Sequence, residues 1–433
     1  MRRLFIALML TLSAEANAQP HIIAPVDLSV PDPAPLRIEG VKPGSRITIE
    51  TIRRSYDGKE SYVAIATFMA DRSGLIDTSI MKPLEGTYTG IDPLGIFWSG
   101  KARPLVASDP AADTVSITAK SNEKIVARFM AATKPDATSI TIRRDTPFPG
   151  AVWAIPAMPG PHPIIIVLGG SEGGSSTARA LAPLFAARGY ATLGLPYYDP
   201  GYDPTDRVPG LLESFTEIPV DRLSDVRDWL AQQPEADATR IGIWGASKGA
   251  EFALIAASRY AWIKTVAAIV PSDLVWEGWG APGPSRSSFA FGGKPLAFQP
   301  YDGMSEELAK AAKGQAMDIR RVHEAGRIRF ADRIAAARIR VEDFKGTLLV
   351  AGGGRDTVWP SADMATNIVA TRKAAELKTE AFIAPEAGHA LGGPGTAPAL
   401  PYTINGGDPA AIAKTRTNVW RATFRMFDEA LKP

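Results

Sequence analysis

Gly245, Ser247 and Gly249 stand two residues apart, and this spacing constrains the chain more than any other feature. Ile241, Ile243 and Trp244 read as a buried strand, and the residues from Lys248 to Ser258 as a helix. Between them there is room only for a tight turn. A serine on such a turn needs small residues at minus two and plus two, because larger side chains would meet the adjacent strand and helix. Taken alone, the pentapeptide is equally an ordinary strand-to-helix turn, since glycine and serine are common. With a strand before it and a helix after it, it reads as a nucleophile elbow with Ser247 as the nucleophile.

An elbow serine needs an acid and then a histidine later in the chain. The four histidines are His21, His162, His323 and His389. Only His389 fits that order. It follows a strand-like run ending at Ile383, in a Gly388-His389 turn. Upstream, the apolar residues 347–351 end in three glycines and Asp356. Strand, acid loop, helix, strand and histidine loop make the C-terminal half of an α/β-hydrolase. A lone His389 would read as a satisfied surface or core histidine, but its place after Ser247 and Asp356 reverses that.

A continuous apolar run, 163–168, suits a strand buried on both faces, and it ends in the glycine-rich stretch 169–174. The stretch lacks the Gly-Lys-Ser/Thr ending of a phosphate loop and the spacing of a dinucleotide fingerprint. In a hydrolase, this loop supplies one oxyanion-hole N–H and the residue after the nucleophile supplies the other. The expected donors are the Ser171 and Lys248 N–H groups, with Glu172 a close rival to Ser171. Gly170, Glu172, Tyr197 and Trp279 are the expected substrate-lining residues. Tyr197 follows the strand that ends at Leu195. Lys248 and Glu251, one turn apart, read as an i,i+3 ion pair.

The alternation of apolar strands and helices predicts a mostly parallel sheet covered on both faces. The interval from Ser247 to Asp356 exceeds what one helix and two strands require. Its surplus, 271–339, carries Trp276, Trp279, Phe289, Phe291 and Phe298 and a hairpin expected around 288–295. These aromatics either line an acyl pocket beneath a cap or pack a small core of their own. Ahead of a linker at 147–150, residues 22–145 show period-two runs separated by turn signals, as in an immunoglobulin-like β-sandwich. Within them, 84–99 is rich in glycine and aromatics. It reads as a loop plugged by Tyr88 and Trp98, or as one laid against the second domain's site. The domains expected are therefore 22–145 and 150–433.

Arg2 and Arg3, an apolar stretch from Leu4 to Leu12, and Ala16 and Ala18 flanking Asn17 form a secretory leader pattern, cut after Ala18. The apolar stretch is too short to span a membrane, and no later run is long enough. A soluble periplasmic or secreted protein is expected. The chain holds no cysteine, which excludes a thiolate nucleophile, a cysteine zinc site and a disulfide. A net charge of +2 without a basic block gives no sign of a nucleic-acid partner. No metal or redox cofactor is implied, and the partner expected is a small acyl ester or thioester.

Together these residues resemble the family of acyl-CoA thioesterases and bile acid-CoA:amino acid N-acyltransferases. The resemblance spans nearly all of the mature chain. It rests on 70–77 and 86–99 in the N-terminal domain, and on 168–174, Ile218-Pro219, 245–251, 354–361 and Ala387-Gly388-His389 in the C-terminal one. It implies a β-sandwich on an α/β-hydrolase, with the family's triad at Ser247, Asp356 and His389. The amino-acid transferases resemble this pattern with cysteine as nucleophile, so serine favours water as acceptor. The expected activity is hydrolysis of an acyl thioester or ester. The alternatives are acyl transfer to an amino acid, or a secreted binding module without activity.

Overall fold

In the computed structural model, which describes residues 19–55, 58–400 and 405–432, the alternating run Arg46–Arg54 is a strand that turns Ile47 and Ile49 inward. It pairs antiparallel with Glu60–Met69 on one side and Thr114–Ser121 on the other. Lys124–Ala132 and Glu85–Gly86 form the two edges of this sheet. A second antiparallel sheet joins His21–Ile23, Arg37–Glu39 and Ile76–Asp77. Ile38 and Ile76 from the small sheet share one interior with Ile49 and Ile117 from the large one. Each such side chain contributes about 1.5–3 kcal/mol when removed from water. The leader expected at 1–18 lies outside the described residues.

The remaining sheet has eight strands, numbered here from its first: β1 (Ile140–Arg143), β2 (Val152–Pro156), β3 (His162–Leu168), β4 (Ala191–Gly194), β5 (Ala236–Ala246), β6 (Ile263–Ile269), β7 (Thr347–Gly353) and β8 (Thr379–Ala384). Their spatial order is β1-β2-β4-β3-β5-β6-β7-β8, parallel from β4 onward. This is the expected α/β-hydrolase sheet. Its helices of more than one turn are α1 (Ser176–Ala186), α2 (Arg222–Leu230), α3 (Lys248–Ala257), α4 (Met304–Ala311), α5 (Ile319–Arg329), α6 (Ser361–Ala374) and α7 (Pro409–Leu431). All seven residues of β3 are buried because both faces are covered. Ile164, Ile166 and Leu168 pack with α2 and α3. Ile165 and Val167 face the opposite layer, with Trp420, Phe424 and Phe427 of α7. That second layer is continuous with the N-terminal sandwich, so one apolar interior runs through both domains.

One expectation needs correction and another is met. The boundary at 145–150 falls inside the large sheet, because β1 already pairs antiparallel with β2. The stretch 147–150 is thus the connection of a hairpin. A short β strand looks alike in either domain, and only its partner assigns it. The surplus 271–339 does contain the expected hairpin, Phe289–Phe291 with Lys294–Pro295. That hairpin is extended by Ile218–Pro219, a parallel neighbour from outside the insertion. Trp276 is fully buried in a small cluster with Tyr301, Val322 and Trp359. Phe289 instead joins the core against Phe215 and Phe252.

Candidate active site

Ser247 sits at φ 55°, ψ −123°, between the end of β5 and the start of α3. A non-glycine residue in that region costs about 1–3 kcal/mol and persists only where its surroundings enforce it. Here they do. A Cβ at Gly245 would lie 2.3 Å from the Gly249 carbonyl oxygen, and one at Gly249 would lie 2.3 Å from that of Gly169. The Ser247 N–H is held by the Ile269 carbonyl at 2.8 Å. The residue is half-buried.

The glycine loop after β3 closes over this turn. A Cβ at Gly170 would lie 3.1 Å from Ser247 Cβ and 2.8 Å from Glu172 Oε2, so the loop backbone runs close beside the nucleophile. The loop is tied from behind. Gly170 N–H donates to Glu172 Oε1 at 3.0 Å, and Thr177 Oγ1 donates to the same oxygen at 2.6 Å. The Glu172 carboxylate thus braces the loop. Tyr197 also holds the loop. It is buried, and its hydroxyl donates to the Gly169 carbonyl at 2.7 Å. Burial pushes that phenol well above its ordinary range. Ser171 follows Gly170 in the loop. The Lys248 N–H is among the first donors of α3, which have no intrahelical partner.

Asp356 follows β7 and is fully buried. Its Oδ1 accepts the Val358 N–H at 2.8 Å and the Trp359 N–H at 3.3 Å. Its Oδ2 lies 2.7 Å from His389 Nδ1. With Nδ1–H donated to the carboxylate, Nε2 of a neutral ring is left as a proton acceptor. The His389 side chain is 12% exposed. Trp359 packs on it with ring centroids 5.9 Å apart. Arg320, at the start of α5, donates to the carbonyls of Gly354 and Asp356, both at 2.9 Å, and so fastens the acid loop.

Ser247, Asp356 and His389 follow β5, β7 and β8, on the carboxyl edge of one sheet. Asp356 and His389 are in direct contact, while no hydrogen bond joins Ser247 Oγ to His389 among the described residues. Such bonds commonly tighten only with substrate in place.

Three side chains hold this arrangement, two of them missed by sequence reasoning. Arg320 is one, and Thr396 another. Thr396 Oγ1 donates to the Leu28 carbonyl at 2.6 Å, and Arg53 donates to the Thr396 carbonyl at 3.2 Å. Nearby, the Ala399 N–H donates to the Trp98 carbonyl at 2.9 Å. The loop that continues from His389 is therefore anchored on the N-terminal domain. Of the two readings of 84–99, both describe it: Tyr88 and Trp98 are buried, and the segment also holds this loop. A cleft of about 1400 Å³ opens between the domains, with Glu172, Gly173 and Thr396 in its walls.

The third is the side chain of Lys248. Its ammonium is 2.7 Å from Glu251 Oε2 and 3.0 Å from Ser288 Oγ, with both charged side chains essentially inaccessible. The expected ion pair exists, but in the interior. Burial draws the Lys248 ammonium down and the Glu251 carboxyl up, while each partner opposes that by favouring the other's charge. The signal was in the sequence, because α3 has no polar face on which these two could be solvated. Trp279, an expected substrate-lining residue, stacks on Phe215 at 4.4 Å, half-buried beside the Lys248 ammonium. Its ring is occupied in packing.

Two family profiles match the chain. The acyl-CoA thioester hydrolase/BAAT N-terminal region covers residues 31–136, and the BAAT/acyl-CoA thioester hydrolase C terminal covers 223–433. Acyl-coenzyme A thioesterase 2, mitochondrial, of Homo sapiens is 24% identical over 421 residues, 92% of this chain and 82% of that protein. Peroxisomal succinyl-coenzyme A thioesterase of Mus musculus is 25% identical over 431 residues, 92% of this chain and 94% of that protein. Against acyl-coenzyme A thioesterase 1 of Rattus norvegicus the match is shorter, 28% over 246 residues, and spans 52% of this chain and 54% of that relative's length. With a β-sandwich, an α/β-hydrolase sheet and both halves of the family matched in order, the chain belongs to the acyl-CoA thioester hydrolase/BAAT family.

Proposed function

We propose that the chain is a serine hydrolase that cleaves acyl thioesters through an acyl-serine intermediate. The observation that carries this reading is the 2.7 Å contact of buried Asp356 with His389 on the sheet edge that also bears strained Ser247. His389 Nε2 takes the proton of Ser247 as Oγ attacks the acyl carbonyl carbon. Asp356 holds the ring in the tautomer that leaves Nε2 free and stabilises the imidazolium that forms. N–H groups of Lys248 and of the glycine loop hold the oxyanion. Each such donor is worth about 3–4 kcal/mol of barrier, so the loop matters as much as the triad. Collapse expels the thiolate, which takes the proton from His389. Water, activated by the same histidine, then releases the acid and restores Ser247.

The inter-domain cleft is the proposed path for the leaving group. It borders the glycine loop on one side and the loop following His389 on the other. Export is proposed on the leader pattern of residues 1–18.

The test is turnover of a panel of acyl-CoAs against simple aryl esters, with fluorophosphonate labelling of the same protein. Labelling at Ser247 alone, abolished in Ser247→Ala, is the expected result. Labelling that persists in that variant would place the nucleophile elsewhere. For export, protein recovered outside the cytoplasm should begin at Gln19; an uncleaved cytoplasmic form would refute it.

A further inference from the structure

The side chain after the nucleophile is buried in the interior. Every residue of α3 is buried, including Lys248 and Glu251. Four aromatic rings surround the ammonium: Phe215 at 5.4 Å, Trp279 at 5.6 Å, and Phe289 and Trp359 each at 5.9 Å. Such a pair is a weak source of stability. Well-packed apolar residues of the same volume often do as well or better. What apolar side chains lack is direction.

Here the directed contacts run to one segment. Lys248 Nζ meets Ser288 Oγ, and Ser288 Oγ donates to the Glu277 carbonyl at 2.9 Å. Glu251 Oε1 accepts the Trp276 N–H at 3.1 Å. Ser288 N–H in turn donates to the Trp276 carbonyl at 3.0 Å. Both charges on α3 are thereby bonded to residues 276–288. One wall of the aromatic cage, Trp359, packs on His389.

We propose that the Lys248–Glu251 pair is a positioning device, which ties the nucleophile turn to residues 276–288 and so holds the Lys248 N–H where the oxyanion forms. This rests on the serine-hydrolase reading above. The residue after Ser247 cannot swing without breaking bonds to Glu251 and Ser288 together, which fixes its N–H as well as its side chain.

The test compares Lys248→Met, the double variant Lys248→Met/Glu251→Leu, and Ser288→Ala with the wild type. Each is titrated for reactive serine with a fluorophosphonate, assayed on one aryl ester, and melted. Lys248→Met should lose both Tm and turnover, because Glu251 is left buried and unpaired. The double variant should regain Tm while kcat per titrated site stays about 10²-fold below wild type, the usual cost of a misplaced catalytic group, with KM little changed. Ser288→Ala keeps the ion pair but leaves the Glu277 carbonyl without its hydroxyl donor, so it should lower Tm less than Lys248→Met does while lowering kcat. It serves as the deciding variant if the double variant fails to fold. A double variant that regains both Tm and kcat, or a Ser288→Ala variant at wild-type kcat, overturns the proposal. A wild-type chain that takes no label overturns the hydrolase reading and the tie with it. A labelled wild type beside a fully active double variant overturns the tie alone.

Discussion

The two flanks of the site are held by different physics. On the histidine side, the loop after His389 is clasped by neutral hydrogen bonds from the N-terminal domain: Thr396 to Leu28, and Ala399 to Trp98. The ionised donors there, Arg53 and Arg416, contact carbonyls and not carboxylates. On the nucleophile side, a buried ion pair does the holding, inside an aromatic cage. Neutral backbone contacts are individually modest, about 0.5–1.5 kcal/mol net. A buried ion pair is close to neutral when intact and costly when half removed. The histidine side should therefore lose its grip gradually under substitution, and the nucleophile side abruptly.

The largest effect is expected where the two sides meet. Asp356→Asn should keep the fold but lower kcat by about 10⁴, if the effect seen in another serine hydrolase carries over. Labelling and ester turnover check it. A full-rate variant would mean that another carboxylate, with Asp363 the nearest in sequence, orients His389.

Next is the abrupt side. Lys248→Met should cost about 3–5 kcal/mol in denaturant unfolding, since it strands a buried carboxylate. A loss below about 1 kcal/mol would make the pair no more than the exposed kind and erase the contrast.

The gradual side follows. Thr396→Val leaves the Leu28 carbonyl without its hydroxyl donor and should cost about 1–3 kcal/mol. Thr396→Ser, which keeps the hydroxyl, should recover most of that. Melting of both variants, with kcat measured beside it, shows whether slack in this loop reaches His389.

The smallest effect is a pH dependence on the nucleophile side. His323 is buried among Trp276, Tyr301 and Trp359, and burial lowers its pKa from 6.5 to about 3. The ring is neutral when folded, whereas the unfolded chain binds a proton near pH 6.5. The resulting stability is present above pH 6.5 and is lost as pH falls toward 3. Lowering pH from 7.5 to 5.5 should cost about 1 kcal/mol from this group. His323→Phe should flatten that slope of Tm against pH. An unchanged slope would assign it to other groups.

Much of this was legible beforehand, for a local reason. Runs such as 163–168 are apolar throughout because a central parallel strand is covered on both faces, and period two at Arg46–Arg54 marks a strand covered on one. Gly245 and Gly249 are required by contacts within one strand-turn-helix unit, so their spacing carries the turn's geometry. The chain's membership of its family, its fold and its hydrolase class followed from such features. Tertiary structure alone decided the rest. That 140–143 belongs to the large sheet depends on its pairing with β2. Tyr197 stands at a strand end near the site, yet only its neighbours turn its hydroxyl onto Gly169 rather than toward a ligand. Thr396 meets Leu28 across 368 residues of chain. Periodicity and turn chemistry report on residues within a few positions of one another. A contact at that separation leaves no local trace, because it exists only once both domains have packed.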